Sequence, residues 1–258
     1  GKSLTDPSQY VQDWIHESVR NYKYRLIKEI CENYDIDGLE IDYLRHWYFF
    51  KDSVSQAKKE RIMTEFIKKV RDVLDRTSKE DQHRWLCVRV PFRIKDLKRI
   101  GIDIAKFHEA SVDMINLGCD YSMEQQHDLA VIHKQVPQAN LYLEVAYLTG
   151  GYIDPMTKKD YRHLTTDHQF YTIGHLAYSR GASGLSVFNF PYYRLFKDME
   201  PPFHIFERLA DRQWLAKQPQ HYYLSQWDAN YNRVTKRKFL KETFAMDMAP
   251  PTGGWKKG

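Results

Sequence analysis

Asp42 and Glu144 are the residues whose type and setting point most directly to chemistry. Asp42 stands near the end of the short apolar run Leu39–Leu44, and Glu144 sits inside the run Leu141–Tyr147. Two carboxyls gathered at one end of a sheet can split a glycosidic bond. One, protonated, helps the leaving oxygen depart; the other, ionised, attacks the anomeric carbon or activates water. We assign Glu144 as nucleophile or base and Asp42 as acid. Glu40 lies two residues before Asp42, on the same face of an extended chain and one layer deeper, and reads as a supporting acid. Arg45 and Arg89 are the cations that can hold these groups, because buried carboxylates need partners. An inward Arg89 can equally tie Glu144 into a structural ion pair. Groups suited to a sugar follow the strand ends: His46, Trp47, Tyr147, Phe188, Asn189 and Tyr192, with Asn116 facing in from another strand.

Other chemistries find less support. The histidines are scattered, with no HExxH and no His-x-His, so no metal site is expected. No P-loop and no GxGxxG is present, and no cofactor is expected. Cys31, Cys87 and Cys119 have no CxxC spacing and read as small buried hydrophobes. The net charge of +5, from 39 basic and 34 acidic residues, is small and dispersed. It gives no basic stripe for nucleic acid. With 42% apolar residues and no run long enough to span a bilayer, the 258-residue chain reads as globular, with no membrane partner.

The elements that must position these groups are five short apolar runs: Gly38–Leu44, Trp85–Val90, Val112–Leu117, Leu141–Tyr147 and Gly184–Phe190. Helical patterns lie between them, the clearest placing Ile62, Met63, Phe66, Ile67, Val70, Val73 and Leu74 on one face. Strand–helix alternation without hairpin signals predicts a parallel sheet. Each strand has one aliphatic face, such as Leu39, Ile41 and Tyr43, and one polar face, such as Gly38, Glu40 and Asp42. A doubly wound sheet needs both faces apolar, whereas a barrel carries polar groups inside, near its mouth. The expectation is therefore an α/β (β/α)8 TIM barrel showing about five of its eight units. A leading helix opens at Asp6-Pro7. Either three N-terminal units complete the barrel, or a homo-oligomer covers its open side. Residues 1–219 form this domain. Residues 220–258 read as extended segments and a linker toward a further β-domain.

The stretch Asp37-Gly38-Leu39-Glu40-Ile41-Asp42-Tyr43-Leu44-Arg45 resembles the fourth strand, DGφxφDφφR, of bacterial glycosyl-hydrolase-like barrels. Arg180 to Phe190 is similar to their eighth strand. The resemblance implies a glycosidase cleaving a poly- or oligosaccharide, with the carboxyl pair on strands four and seven, in a parent protein that is often exported. The family 18 chitinases, with DGxDxDxE on strand four, are a more distant comparison. Glu40 and Asp42 fall on the two inner acidic positions, but Leu44 stands where that motif has its acid. The alternatives are a carbohydrate-binding pseudo-enzyme and an inactive barrel fragment.

Overall fold

The computed structural model describes residues 12–44, 48–118, 123–150, 163–196 and 199–223. Its centre is a five-stranded parallel sheet: β1 (Gly38–Asp42), β2 (Trp85–Pro91), β3 (Met114–Gly118), β4 (Asn140–Ala146) and β7 (Gly184–Phe188), paired in that order. The strands match the expected runs to within two residues at each end. A second, antiparallel pair, β5 (Leu148–Gly150) with β6 (His163–Leu164), follows β4. The two strands of this pair were not among the five expected runs. The twelve residues between its strands carry no tight-turn signature that sequence patterning can detect.

The helices cover the outer face. They are α1 (Glu17–Asn33), α2 (Gln56–Thr77), α3 (Ile94–Ile100), α4 (Ile104–Glu109), α5 (Leu129–Gln135), α6 (Asp167–Ser179), α7 (Phe206–Leu209) and α8 (Arg212–Leu215). The expected Phe203–Leu215 helix is thus a 3-10 turn and two short helices, and the N-terminal Asp6-Pro7 cap lies outside the described residues. The α2 stripe read from the sequence is buried in full. Outward strand residues Leu86, Val88, Ile115, Leu117, Leu141 and Val145 are completely covered beneath the helices. That one-sided burial stabilises the sheet by roughly 1.5–3 kcal/mol for each large side chain. Caps fix where helices begin: Asp103 accepts from the amides of Ala105 and Lys106 at α4, and Thr166 and Gln169 form a reciprocal capping box at α6. No described helix is long and apolar enough to cross a membrane.

His127 locks the loop before α5 to the end of α6. Arg180 donates to its Nε2 at 3.1 Å and to the Gln125 carbonyl at 2.7 Å. Accepting from a guanidinium requires the neutral imidazole. Burial first, then the Arg180 charge, hold its pKa well below the usual histidine range. An unfolded histidine titrates near 6.5. The folded state therefore binds fewer protons, so the stability His127 contributes is complete above that pH and is lost as the pH falls. The urea midpoint is expected to drop between about pH 7 and pH 5, and to drop less in His127→Gln. Equal drops in both proteins would assign the acid sensitivity to other groups.

Candidate active site

Alternation along the strands turns Gly38, Glu40 and Asp42 of β1 inward. Arg89 on β2, Asn116 and Gly118 on β3, Glu144 on β4, and Ser186 and Phe188 on β7 face them across the concave side. Register pairs Asp42 with Arg89, Arg89 with Asn116, and Glu144 with Ser186. Two polar strings result. In the upper one Arg89 grips both predicted acids. Its Nη1 donates to Asp42 Oδ1 and Oδ2 at 3.1 and 3.0 Å, its Nη2 to Glu144 Oε1 at 2.8 Å, and its Nε to Glu144 Oε2. The Phe188 ring lies 4.1 Å from the guanidinium carbon, a cation–π seat. In the lower string Ser186 Oγ donates to Asn116 Oδ1 at 2.6 Å, and Asn116 Nδ2 donates to Glu40 Oε1 at 3.2 Å.

Exposure separates the two acids. The Asp42 side chain is 47% exposed, that of Glu144 only 3%. Asp42 also accepts the Leu44 amide at 2.8 Å, which fixes its carboxylate at the strand end. Burial pushes the Glu144 carboxyl up from its ordinary value, with the Arg89 hydrogen bonds and charge opposing the shift. Burial alone would lower the Arg89 pKa, but Glu144 and then Asp42 outweigh it and hold the guanidinium protonated. With both oxygens held by Arg89, Glu144 forms the ion pair set out above as the alternative to its role as nucleophile or base. Glu40, two residues before Asp42 on β1, is exposed in the open interior.

The remaining candidates divide. Asn116 faces in, with one amide hydrogen on Glu40 and its oxygen accepting from Ser186. Tyr147 is 3% exposed; it packs edge-on against Tyr192 and Tyr193 and at a tilt against Phe196, so it belongs to the rim core. The Phe188 ring is engaged by Arg89. Tyr192 is exposed beside Tyr147, and Asn189 takes a left-handed backbone (φ 52°) that starts the turn after β7. Arg45, His46 and Trp47 lie outside the described residues. Leu44, at the chitinase acid position, is fully buried. Cys87, expected in the core, is half-buried and lines a cavity of about 380 Å³ together with Glu40, Trp85, Asn116, Tyr142 and Ser186. Burial pushes its thiol up to about 12, so it is inert at neutral pH. Among the described residues no three His, Cys, Asp or Glu side chains converge as a metal would require.

Gly118 is the participant that sequence reading missed. Arg89 must reach past β3 to meet Glu144, and at that height β3 offers no side chain. A Cβ on Gly118 would stand 2.7 Å from Glu144 Oε1 and 2.8 Å from Leu44 Cδ1. The glycine closing β3, in line with an inward acid on the next strand, was the available signal. Gly118→Ala is expected to displace the Glu144 carboxylate and cost about 1–3 kcal/mol, as overpacking does. Urea denaturation measures it, and an unchanged midpoint would show that Glu144 yields freely.

No family model matches the chain, and no curated protein sequence matches it. Among solved structures it is similar to the chitinase of Chromobacterium violaceum ATCC 12472, at 14% identity and a TM-score of 0.51, over 84% of this chain and 79% of that one. It is also similar to a glycoside hydrolase family 18 N-acetylglucosaminidase from Paenibacillus barengoltzii, at 12% identity and TM-score 0.47, over 68% of this chain and 72% of the other. A class V chitinase from Pseudomonas fluorescens Pf-5 gives 14% identity and TM-score 0.47, over 71% of each chain. At these identities the first likeness shows the fold alone. The chain is a mixed α/β protein whose fold is that of part of a TIM barrel, with five parallel strands among the described residues.

Proposed function

We propose that this protein binds a saccharide at the C-terminal ends of its strands and cleaves a glycosidic bond there. The observation that carries the reading is Asp42: an exposed carboxylate at the end of β1, aimed by Arg89 and by the Leu44 amide. Barrels of this class place their chemistry at that end. In this reading Asp42 is the ionised group that attacks the anomeric carbon or activates water. Glu40 is the second carboxyl a ligand can reach. Two residues along a strand put their Cα atoms roughly 6.5 Å apart on one face. Arg89 and Glu144 position Asp42 and offset its charge.

A second reading, saccharide binding without cleavage, is favoured by two observations. Both Glu144 oxygens are committed to Arg89, and Leu44 replaces the acid of the chitinase motif. One experiment separates the two. A panel of polysaccharides and aryl glycosides is offered to the protein, with hydrolysis and calorimetric binding measured on the same samples. Turnover supports the first reading. Saturable binding without turnover supports the second, and neither binding nor turnover would sink both.

A further inference from the structure

Phe188 belongs to the upper polar string without a polar atom of its own. It is the last residue of β7, turned inward by alternation with Gly184 and Ser186. Phe190, 5% exposed and packed edge-on against Phe170, anchors the turn that follows it. Its registered neighbour on β4 is Ala146, whose small side chain leaves the ring room on that side. Arg89 Cζ lies over the ring, 4.1 Å from its centroid. The four hydrogen bonds from Arg89 to Asp42 and Glu144 run in the plane of the guanidinium, because its N–H groups lie there. In-plane bonds leave that plane free to rock about the line between the two carboxylates. A ring against one face stops the motion, and a weakly hydrated guanidinium favours such a seat. The two ends differ in what rocking does. The Glu144 side chain is 3% exposed, so water cannot take over its contact. The Asp42 side chain is 47% exposed, and there water competes with Arg89.

We propose that Phe188 is a positioning residue: its ring holds the Arg89 guanidinium so that Nη1 keeps Asp42 aimed at the ligand. The inference rests on the reading of Asp42 as the reacting group. It gives Phe188 a different role from the sugar-facing one that its residue type suggests. A ring that binds sugar supports ground state and transition state alike, and its loss raises KM. A ring that seats Arg89 acts only through Asp42. Its loss lets the carboxylate drift from the attacking geometry and lowers kcat.

The test compares Phe188→Leu and Phe188→Tyr with the parent, by steady-state kinetics on aryl glycosides and by nuclear magnetic resonance of the Arg89 Nε–H and the Asp42 carboxyl carbon. In the parent the ring shields the Nε proton and shifts its signal upfield. In Phe188→Leu that signal is expected to move downfield and the Asp42 carbon signal to move with it. There kcat is expected to fall by about ten- to a hundred-fold, with KM within about twofold of the parent. Phe188→Tyr keeps a ring, and is expected to keep the shielded signal and most of kcat. The Glu144 contacts persist in both variants, so their urea midpoints should stay close to that of the parent. If Phe188→Leu fails to fold, Phe188→Met takes its place. An unmoved Arg89 or Asp42 signal in Phe188→Leu would overturn the proposal. A higher KM at unchanged kcat would overturn it too, and return the ring to the sugar. A parent without turnover, in which Phe188→Leu still moves both signals, would uphold the seat and overturn only the cleavage reading.

Discussion

Arg89→Met is expected to lower stability by about 3–5 kcal/mol, because it leaves a buried carboxylate uncompensated. The argument rests on the asymmetry of the pair. Glu144 has two hydrogen-bonded contacts to the guanidinium and almost no exposure, so water cannot replace Arg89. Asp42 is half-exposed and contributes little to the loss. The deficit should also depend on pH with a definite sign. Burial already raises the Glu144 carboxyl above its ordinary value, and removing Arg89 raises it further. A carboxyl whose folded pKa exceeds its unfolded one stabilises the fold at low pH and loses that contribution as the pH rises. The penalty of Arg89→Met is therefore expected to shrink on acidification. It should largely vanish when Glu144→Leu is added, since an apolar pair can replace a buried ion pair. Urea denaturation across pH measures both effects. A loss under about 1 kcal/mol at neutral pH would mean that Glu144 is not held as described.

Asp42→Asn is expected to reduce kcat/KM by roughly a thousand-fold, within the range for removing a positioned acid–base group. The fold should stay within about 1 kcal/mol of the parent, as an exposed ion pair is worth little. The amide keeps the volume and can still accept from Arg89 and Leu44, so what disappears is the charge and the capacity to take a proton or attack. Glu144→Gln should behave differently, lowering stability together with activity. The contrast between a folded, inactive Asp42→Asn and a destabilised Glu144→Gln is the signature of one reacting acid and one positioning acid. Equal kinetic losses at unchanged stability would restore Glu144 as a direct participant. Intact turnover in Asp42→Asn would remove the site from β1 altogether.

Much of the scaffold was legible residue by residue. Leu39 and Ile41 against Glu40 and Asp42 alternate with the period of a strand, and the same alternation recurs at Leu86–Arg89 and Leu141–Glu144. Because a strand sends successive side chains to opposite faces, the inward acids and the outward helix-covered face followed from order alone. The α2 stripe was legible for the corresponding helical reason. The fate of Tyr147 was not. An aromatic after a strand end can meet a ligand or the neighbouring turn, and here Tyr192, Tyr193 and Phe196 enclose it. The β5–β6 pair escaped because its strands are short and far apart in sequence.

By itself, the sequence determined the parallel strand–helix alternation, the polar inner face and the set of acids and cations available there, since these depend on local periodicity and residue type. Only the tertiary structure decided which acid meets solvent. Arg89 and Glu144 are 55 residues apart, and they touch because Gly118, on the strand between them, leaves the gap. Exposure, pairing and pKa belong to contacts between strands, and no pattern along a single strand contains them.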